Sequence, residues 1–259
     1  MIKITKIFIA NVGVNTDYEN KYGIKSPIFS NGTFEFIPIK ESDKIKGEHI
    51  LKYQGLKCYN SDERLIKYFP KNKRQILTDY YVHNDPEFDT FTYGDYIPKK
   101  KGRGINLTNV KRGDFLLFIV RLVQYREGYF LSGSRAFYFI RYLVVDKLII
   151  EEKDILAHKD LIYNNPHYKW YIDKQEDIGD YLIIKGTKES KRFKHAFRVT
   201  REFCDACFRD TYGNKFDWGK NQTENQRIGS YTRTPRAFID SEKNSNLWNH
   251  FWQFLGNHK

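Results

Sequence analysis

The sequence predicts an α+β fold in which a mixed, partly closed β-sheet or barrel is surrounded by helices. Residues 115–123 form a nearly continuous apolar run, which is typical of a strand buried on both faces or of a barrel stave. Residues 134–145 are aromatic and β-branched, so we expect a neighbouring strand there. Apolar side chains recur at helical spacing over residues 246–255 and predict a helix docked on the core. No repeat or low-complexity linker interrupts the chain, which predicts a single domain over residues 1–259.

The other elements follow from shorter patterns. Residues 1–10 alternate apolar and polar side chains, which favours a first strand over a signal peptide. The Asn31-Gly32 turn then makes the first forty residues a small meander. Ser61 is suited to cap a short helix over residues 61–69. We also expect a helix over 151–160, a buried strand over 180–185, a helix over 199–208 and a long loop over 213–226.

Length, hydropathy and cysteine content restrict the class of protein. The 259 residues suffice for a substantial core. The mean hydropathy is −0.67, and no apolar run approaches the roughly 18 residues of a membrane span. Three cysteines do not make a disulfide framework, so we expect a cytoplasmic protein.

Cys204 and Cys207 form a C-x-x-C pair that could bind zinc. They also fall at helical spacing with Phe203 and Phe208, which makes both thiols core-facing. No second cysteine pair or histidine pair with zinc-ligand spacing follows. The sequence therefore predicts no metal and no cofactor.

Charge and aromatic content indicate the class of partner. Lysine and arginine number 44 against 32 acidic residues, which gives a formal net charge of +12. Such an excess attracts polyanions, although it can also serve solubility alone. Aromatic residues interleaved with the bases favour nucleic acid or a nucleotide, since unpaired bases stack on rings. Neither a membrane partner nor a particular protein partner is indicated.

The loop around residues 83–95 is the richest in chemistry. Asp85-Pro86 and Gly94-Asp95 are turn sequences, so the polar residues here lie on an irregular backbone that can surround a ligand. His83, Asp85 and Asp95 are candidates for acid, base or metal ligand, and the sequence does not fix which is catalytic. An ordinary loop pinned to the core by its aromatic residues explains the pattern equally well.

Ten further residues are candidates for contacts with a nucleic acid or nucleotide. Rings could stack on bases, amides and hydroxyls could bond base edges, and guanidinium groups could bind phosphate. Each residue type also has an ordinary use in turns, core or surface. The candidates are Asn11, Ser26, Phe91, Tyr93, Trp170, Ser190, Arg192, Tyr231, Arg233 and Arg236.

Short motifs are spread along most of the chain. They are Ser26-Pro-Ile-Phe29 with Asn31-Gly-Thr33, Ile37-Pro38-Ile39, His83-Asn-Asp85 through Thr92-Tyr-Gly-Asp95, Gly113-Asp114-Phe-Leu-Leu-Phe118, and Ile184-Lys-Gly186 before Ser190-Lys-Arg192 and Ala196. In combination these motifs resemble the nucleotide modification associated domain family, type 3. The resemblance implies a setting beside base-modification systems of phage and prokaryotes, without implying a particular reaction.

A broader resemblance is to PUA-like domains, including the EVE and YTH groups. Gly113-Asp114 opens an apolar strand whose neighbour lies at residues 137–145, which is similar to the central hairpin of those domains. The likeness implies recognition of a modified base in an aromatic pocket. Tyr93, Trp170 and Trp218 are the candidates for its rings.

Three classes of function remain open. The first is a nucleic-acid or nucleotide binding protein that recognises a modified or flipped base in a DNA or RNA modification or defence setting. The second is a nucleotide-modifying or nucleic-acid-modifying enzyme that uses the loop of His83, Asp85 and Asp95. The third is a scaffold whose charged surface serves a protein partner.

Overall fold

The computed structural model describes residues 6–13, 16–98, 101–173, 180–209, 214–241 and 245–256. The α-helices in these ranges are α1 (Thr16–Tyr22), α2 (Arg74–Thr78), α3 (Glu152–Ala157), α4 (Lys159–Ile162), α5 (Pro166–Ile172), α6 (Arg201–Cys207), α7 (Glu224–Tyr231) and α8 (Ser245–Gly256). The strands are β1 (Lys6–Asn11), β2 (Ser26–Ile28), β3 (Ile39–Lys40), β4 (Val82–His83), β5 (Thr92–Tyr96), β6 (Phe115–Arg126), β7 (Tyr129–Phe130), β8 (Ala136–Ile149), β9 (Tyr181–Gly186), β10 (Lys191–Arg198) and β11 (Arg236–Asp240). Short 3-10 helices cover Tyr53–Gly55, Leu65–Tyr68 and Arg103–Asn109.

A mixed sheet of nine strands is built around the long antiparallel pair β6 and β8. These two strands pair from Phe115 opposite Val144 to Leu122 opposite Ala136. The sheet order is β11-β1-β6-β8-β9-β5, with β2 and β7 also on β6 and β10 on β8. β1 and β2 run parallel to β6, whereas the other pairs are antiparallel. The α+β class and the two central strands predicted from the apolar runs are therefore confirmed.

The sheet is not closed among the described residues. Its end strands β11 and β5 do not pair with each other. The reason lies in β8, which pairs with β10 along its first half and with β9 along its second half. The sheet thus branches along β8 instead of curling back onto β1, and the predicted barrel is not confirmed.

Two apolar clusters lie on opposite faces of the sheet. In β1, Phe8 and Ala10 face one cluster while Ile7 and Ile9 face the other. This alternation is the period of two that a pleated strand imposes on its side chains. α6, α7 and α8 cover the second cluster, so β6 is buried on both faces as its apolar run predicted.

The first forty residues do not form the predicted meander. β1 pairs with residues 115–119 of β6, and β2 pairs in the same direction with residues 122–124. α1 lies between the two strands in sequence. The Asn31-Gly32 turn does form, with Gly32 at a φ of 83°, but its only bridge joins Ile28 to Phe34 among the residues described. Residues 1–5 of the predicted first strand lie outside the described residues.

Several predicted helix limits were wrong. Ser61 caps no α-helix, because this segment forms only the 3-10 turn Leu65–Tyr68. The predicted helix over 151–160 breaks at His158, where α3 ends and α4 begins. The predicted loop over 213–226 ends early, since the Thr223 side chain caps α7 through a capping box with Gln226.

No helix in the described part of the chain is both long enough and apolar enough to cross a bilayer.

All three cysteines lie in the core, and for Cys204 and Cys207 the helical spacing predicted this position. Cys58, Cys204 and Cys207 are free and buried. Burial raises the pKa of the Cys207 thiol to about 12 and that of the Cys204 thiol still further. A thiolate is the reactive form, so native thiols should be inert at pH 8.

We expect Ellman's reagent to label none of the three thiols within minutes in the native protein. All three should react after unfolding in guanidinium chloride. The absorbance of the released chromophore gives the number of reacted thiols in the native and in the unfolded protein. Rapid labelling of the native C-x-x-C pair would contradict its place in the core.

Candidate active site

A cavity of about 440 Å³ opens where β1, β4, β5, β9, α5 and the Arg103–Asn109 helix meet. Its wall contains imidazoles, carboxylates, a guanidinium group and aromatic rings. The lining includes Asn11, Glu41, His83, Asp85, Tyr93, Gly94, Asp95, Arg103, His167, Trp170 and Tyr181. The volume falls within the range of about 300–1,000 Å³ that is typical of small-molecule sites.

One wall of the cavity holds a cluster of two histidines and an aspartate. His167 Nε2 lies 3.4 Å from Asp85 Oδ2, and His83 Nε2 lies 3.9 Å from the same oxygen. One ligand atom from each residue lies within 4.8 Å of the others. The segment 83–85 and helix α5, which are distant in sequence, therefore bring potential metal-ligand or proton-transfer groups to one point.

Backbone contacts fix the position of each member of the cluster. His83 lies on β4 opposite Ile39 of β3. Asp85 Oδ2 accepts a hydrogen bond of 2.8 Å from the Gly94 N–H on β5. His167 is the second residue of α5, and the Asn165 side chain caps this helix by accepting from the His167 N–H at 3.0 Å.

Gly94 allows the close approach of His167. A Cβ atom at position 94 would lie 2.0 Å from His167 Cδ2. Any side chain larger than hydrogen would therefore push the imidazole away from Asp85. The glycine is part of the site although it has no functional group.

The cluster contains buried polar atoms without partners. Asp85 and His167 are 6% and 5% exposed, respectively. Among the residues described, Asp85 Oδ1 and both ring nitrogens of His167 accept or donate no hydrogen bond. An unpaired buried polar group costs about 1–3 kcal/mol or more, so these atoms are typical of a site that acts on a ligand.

The surroundings of the three groups shift the pKa of each one. Burial raises the pKa of Asp85 to about 7, although His83 and the Gly94 N–H act in the opposite direction. Burial, together with the charge of His83, lowers the pKa of His167 to about 3. At His83 burial favours the neutral ring, yet the Glu41 hydrogen bond and the nearby carboxylates raise its pKa above the usual value. At neutral pH His167 is therefore uncharged.

A second polar group lies on the other side of the cavity. Tyr93 donates to Asp95 Oδ2 at 2.9 Å, and Arg103 Nε lies 3.8 Å from the same oxygen. Arg103 also donates to the Asn11 carbonyl, while Asn11 Nδ2 donates to Thr232 Oγ1 at 2.9 Å. The Arg103 side chain is 48% exposed, so it presents a cation at the opening of the cavity.

Aromatic rings complete the wall. The Trp170 ring centroid lies 4.5 Å from that of His167 and 5.1 Å from that of His83. Tyr181 packs against both His167 and Trp170, with centroids 4.4 Å and 5.7 Å away. Trp170 Nε1 is buried and has no hydrogen-bond partner in the described residues. The wall thus combines apolar ring surface with one unused donor.

The structure brings together part of the set predicted from sequence. The three catalytic candidates all line this cavity, as do Asn11, Tyr93 and Trp170. They come from β1, from β4 and the loop that follows it, from β5, and from α5. The predicted residues in the cavity are Asn11, His83, Asp85, Tyr93, Asp95 and Trp170.

The remaining predicted binding residues lie elsewhere. Ser26 Oγ accepts from the Ile37 N–H at 2.9 Å and Ser190 Oγ from the Val144 N–H at 3.0 Å, so both hydroxyls hold the backbone. Phe91 packs against the first apolar cluster. Arg192 lines a different cavity, where it stacks 3.5 Å from the Tyr59 ring centroid.

Tyr231, Arg233 and Arg236, which were predicted to contact a nucleic acid or nucleotide, lie in the segment 229–236. Its first residues finish α7, and Tyr231 is buried against Phe208 with a stacked ring 4.4 Å away. The Arg236 guanidinium lies 4.6 Å over the Tyr231 ring. Arg233 is exposed but does not line the cavity.

Sequence reasoning assigned no functional role to five residues of the site: Glu41, Gly94, Arg103, His167 and Tyr181. A signal existed for His167, because Asn165-Pro166 is a helix-start sequence that places the histidine in a first turn. Glu41 and Tyr181 carry no local signal. They reach the cavity only through the pairing of β3 with β4 and of β9 with β5.

The fold and the site define an α+β protein with a mixed sheet and a buried imidazole–carboxylate cluster in a ligand-sized cavity. The chain belongs to the family described as nucleotide modification associated domain 3, whose model matches residues 6–237. This match confirms the resemblance carried by the short motifs and indicates a role in nucleotide modification. No curated protein and no solved structure matches the chain.

Proposed function

We propose that the protein is an enzyme of nucleotide modification and that the cavity is its active site. The observation that carries this proposal is the placement of half-buried His83 beside buried Asp85 and His167 on the cavity wall, with Asp85 Oδ2 3.4 Å from His167 Nε2 and 3.9 Å from His83 Nε2. Burying a carboxyl group with an unpaired oxygen is costly, and such groups concentrate where chemistry is done. A pocket that only held a base would not require this cluster.

The rest of the cavity suits a nucleotide. Trp170 and Tyr181 lie on the cavity wall and supply ring surface against which a base can stack. Arg103 at the opening can meet a phosphate. A net charge of +12 attracts a polyanionic substrate toward that opening. If the substrate is a nucleic acid, its target base must leave the stack to reach Asp85.

A second function, recognition of a modified or flipped base without chemistry, is favoured by the aromatic wall. This interpretation retains the PUA-like likeness, with β6 and β8 as the counterpart of the central hairpin. Both functions require base binding, and only turnover separates them.

Replacing Trp170 with alanine should weaken nucleotide binding about 10-fold or more, since a stacked base is worth about 1–3 kcal/mol. Calorimetric titration with nucleoside monophosphates and short single-stranded oligonucleotides measures the affinity. Trp170→Phe keeps an aromatic ring and should retain most of the nucleotide affinity.

Trp218→Ala is the matched control. Trp218 is half-buried and does not line the cavity. Its Nε1 donates a hydrogen bond of 2.6 Å to Asp205. Its replacement should leave the affinity unchanged. Equal affinities of Trp170→Ala and wild type would remove the aromatic wall from the binding site.

Turnover tests the enzyme itself. Wild type and Asp85→Asn are incubated with nucleotides and oligonucleotides, with and without a small-molecule cell extract as a source of co-substrate. Mass spectrometry of the digested nucleosides then reports any change of base or sugar. Change with wild type alone supports the enzyme. Binding without change under every condition would overturn it in favour of base recognition.

A further inference from the structure

We propose that His83, Asp85 and His167 bind one divalent first-row transition metal ion at the wall of the cavity. The role of this ion in catalysis rests on the proposed function, whereas its binding rests on the geometry alone. The sequence analysis named His83 and Asp85 as possible metal ligands but predicted no bound metal, because it did not identify His167, which is distant from them in sequence.

The distances among the three side chains fit a shared ion. Ligand atoms bound at about 2.0–2.2 Å in a tetrahedral site lie about 3.3 Å from one another. The observed separations from Asp85 Oδ2 are 3.4 Å to His167 Nε2 and 3.9 Å to His83 Nε2. Small side-chain shifts would therefore bring all three atoms onto one centre.

The unpaired atoms supply the second, independent observation. His167 is 5% exposed, and its Nε2 faces Asp85 without making a hydrogen bond to any described residue. Asp85 Oδ1 is equally unpaired, while Oδ2 is held by the Gly94 N–H. A cation bound between the Asp85 carboxylate and His167 Nε2 would give the His167 nitrogen the partner that no neighbouring side chain supplies in the described part of the chain.

Glu41 gives the site the outer support that metal-binding histidines usually have. Its Oε2 lies 3.2 Å from His83 Nδ1, so the Nδ1–H is directed to the carboxylate and the Nε2 lone pair toward the cluster. A carboxylate behind a ligating histidine fixes its tautomer and raises its basicity. Glu41 is 7% exposed and thus well placed for this positioning role.

The donor set indicates the class of ion. Two imidazoles and one carboxylate suit Zn²⁺, Fe²⁺ or a similar ion, whereas Mg²⁺ and Ca²⁺ prefer oxygen ligands alone. Three protein ligands leave coordination positions open toward the cavity. Open positions are the mark of catalytic metal sites, since structural zinc sites use four protein ligands.

Calorimetry on chelator-treated protein tests the site without any substrate. Wild type should bind a single Zn²⁺ per chain and should not bind Mg²⁺ at comparable concentration. Asp85→Asn and His167→Gln should each weaken Zn²⁺ binding at least about 100-fold, and Glu41→Gln about 10-fold. Circular dichroism melting confirms that each variant is folded.

Two controls separate this site from other ion sites. His49 contacts Asp173 at 2.5 Å in an exposed pair, so His49→Gln should leave Zn²⁺ affinity unchanged. Cys207→Ala tests the C-x-x-C pair in the same way. Should a ligand variant fail to fold, the absorption spectrum of Co²⁺ in the wild type still decides: nitrogen and oxygen ligation gives d–d bands without thiolate charge transfer.

The outcomes separate the metal from the function. Wild type that binds no Zn²⁺, Fe²⁺ or Co²⁺, or binding that survives Asp85→Asn and His167→Gln, would overturn the metal site. Nucleotide turnover by metal-free protein would also overturn its catalytic role and leave the proposed function intact. A metal bound by these three residues, together with no nucleotide binding, would support the site and overturn the proposed function.

Discussion

Gly94→Ala should reduce nucleotide turnover at least about 100-fold, because a displacement of about 1 Å at a reacting group can have that effect. The new Cβ would stand 2.0 Å from His167 Cδ2. The imidazole cannot simply rotate away, since the rings of His83, Trp170 and Tyr181 pack around it at centroid distances of 4.9, 4.5 and 4.4 Å. His167 must therefore leave its position beside Asp85.

Gly55→Ala is the matched control for this substitution. A Cβ at position 55 meets no atom within 4 Å, so turnover and stability should remain near those of wild type. The double variant Gly94→Ala, His167→Ala provides a second check. Removing the imidazole relieves the contact, so Gly94→Ala should destabilise the His167→Ala protein less than it destabilises wild type. Equal destabilisation in both backgrounds, or full turnover by Gly94→Ala, would contradict the close packing of these two residues.

The site could be predicted in part because some of its residues are neighbours in sequence. His83, Asp85, Tyr93 and Asp95 lie on one turn-rich stretch, whose Pro and Gly residues mark an irregular backbone. His167 and Glu41 were missed because they are joined to that stretch only by tertiary packing. No local pattern records that α5 docks against β5 or that β3 pairs with β4.

The fold shows the same division between local and long-range information. Continuous apolar runs identified β6, β8 and β9, since burial on both faces leaves a signal in the strand itself. The pairing of these strands leaves no such signal in their own sequences. Thus the parallel placement of β1 and β2 on β6, and the branching of the sheet at β8, could not be derived from strand patterns.

Two of the arginines predicted to bind phosphate have aromatic partners within the protein. Arg192 and Arg236 stack on rings of their own protein, at 3.5 Å from Tyr59 and 4.6 Å from Tyr231. The sequence signal for phosphate and base recognition, a cation beside an aromatic residue, is therefore also the signal for internal cation–π packing. Composition alone cannot separate the two uses.

Arg141→Ala should destabilise the protein by about 3–5 kcal/mol, because it removes two hydrogen bonds made by a buried charged group, each worth about 1.5–3 kcal/mol. Arg141 is fully buried, at 0% exposure. Its Nη1 donates to the Glu87 carbonyl at 2.9 Å and its Nη2 to the Phe88 carbonyl at 3.3 Å. The guanidinium also lies 3.7 Å over the Phe88 ring. Alanine would leave both carbonyls without this donor and the buried Glu87 carboxylate without its nearby cation.

Arg112→Ala separates this effect from the loss of any arginine. The Arg112 side chain is 72% exposed and lies 3.3 Å from Asp146, an exposed pair worth about 0–1 kcal/mol. Urea unfolding followed by circular dichroism measures the free energy of unfolding of both variants. Thermal unfolding of the same proteins should show melting temperatures roughly 10 °C apart. Since Glu87 and Phe88 closely follow Asp85 in the same loop, a folded Arg141→Ala protein should also lose turnover while Arg112→Ala keeps it. A decrease in the free energy of unfolding of less than about 1 kcal/mol would show that other contacts hold the loop. Removal of a buried guanidinium that anchors the loop should destabilise the protein by more than that.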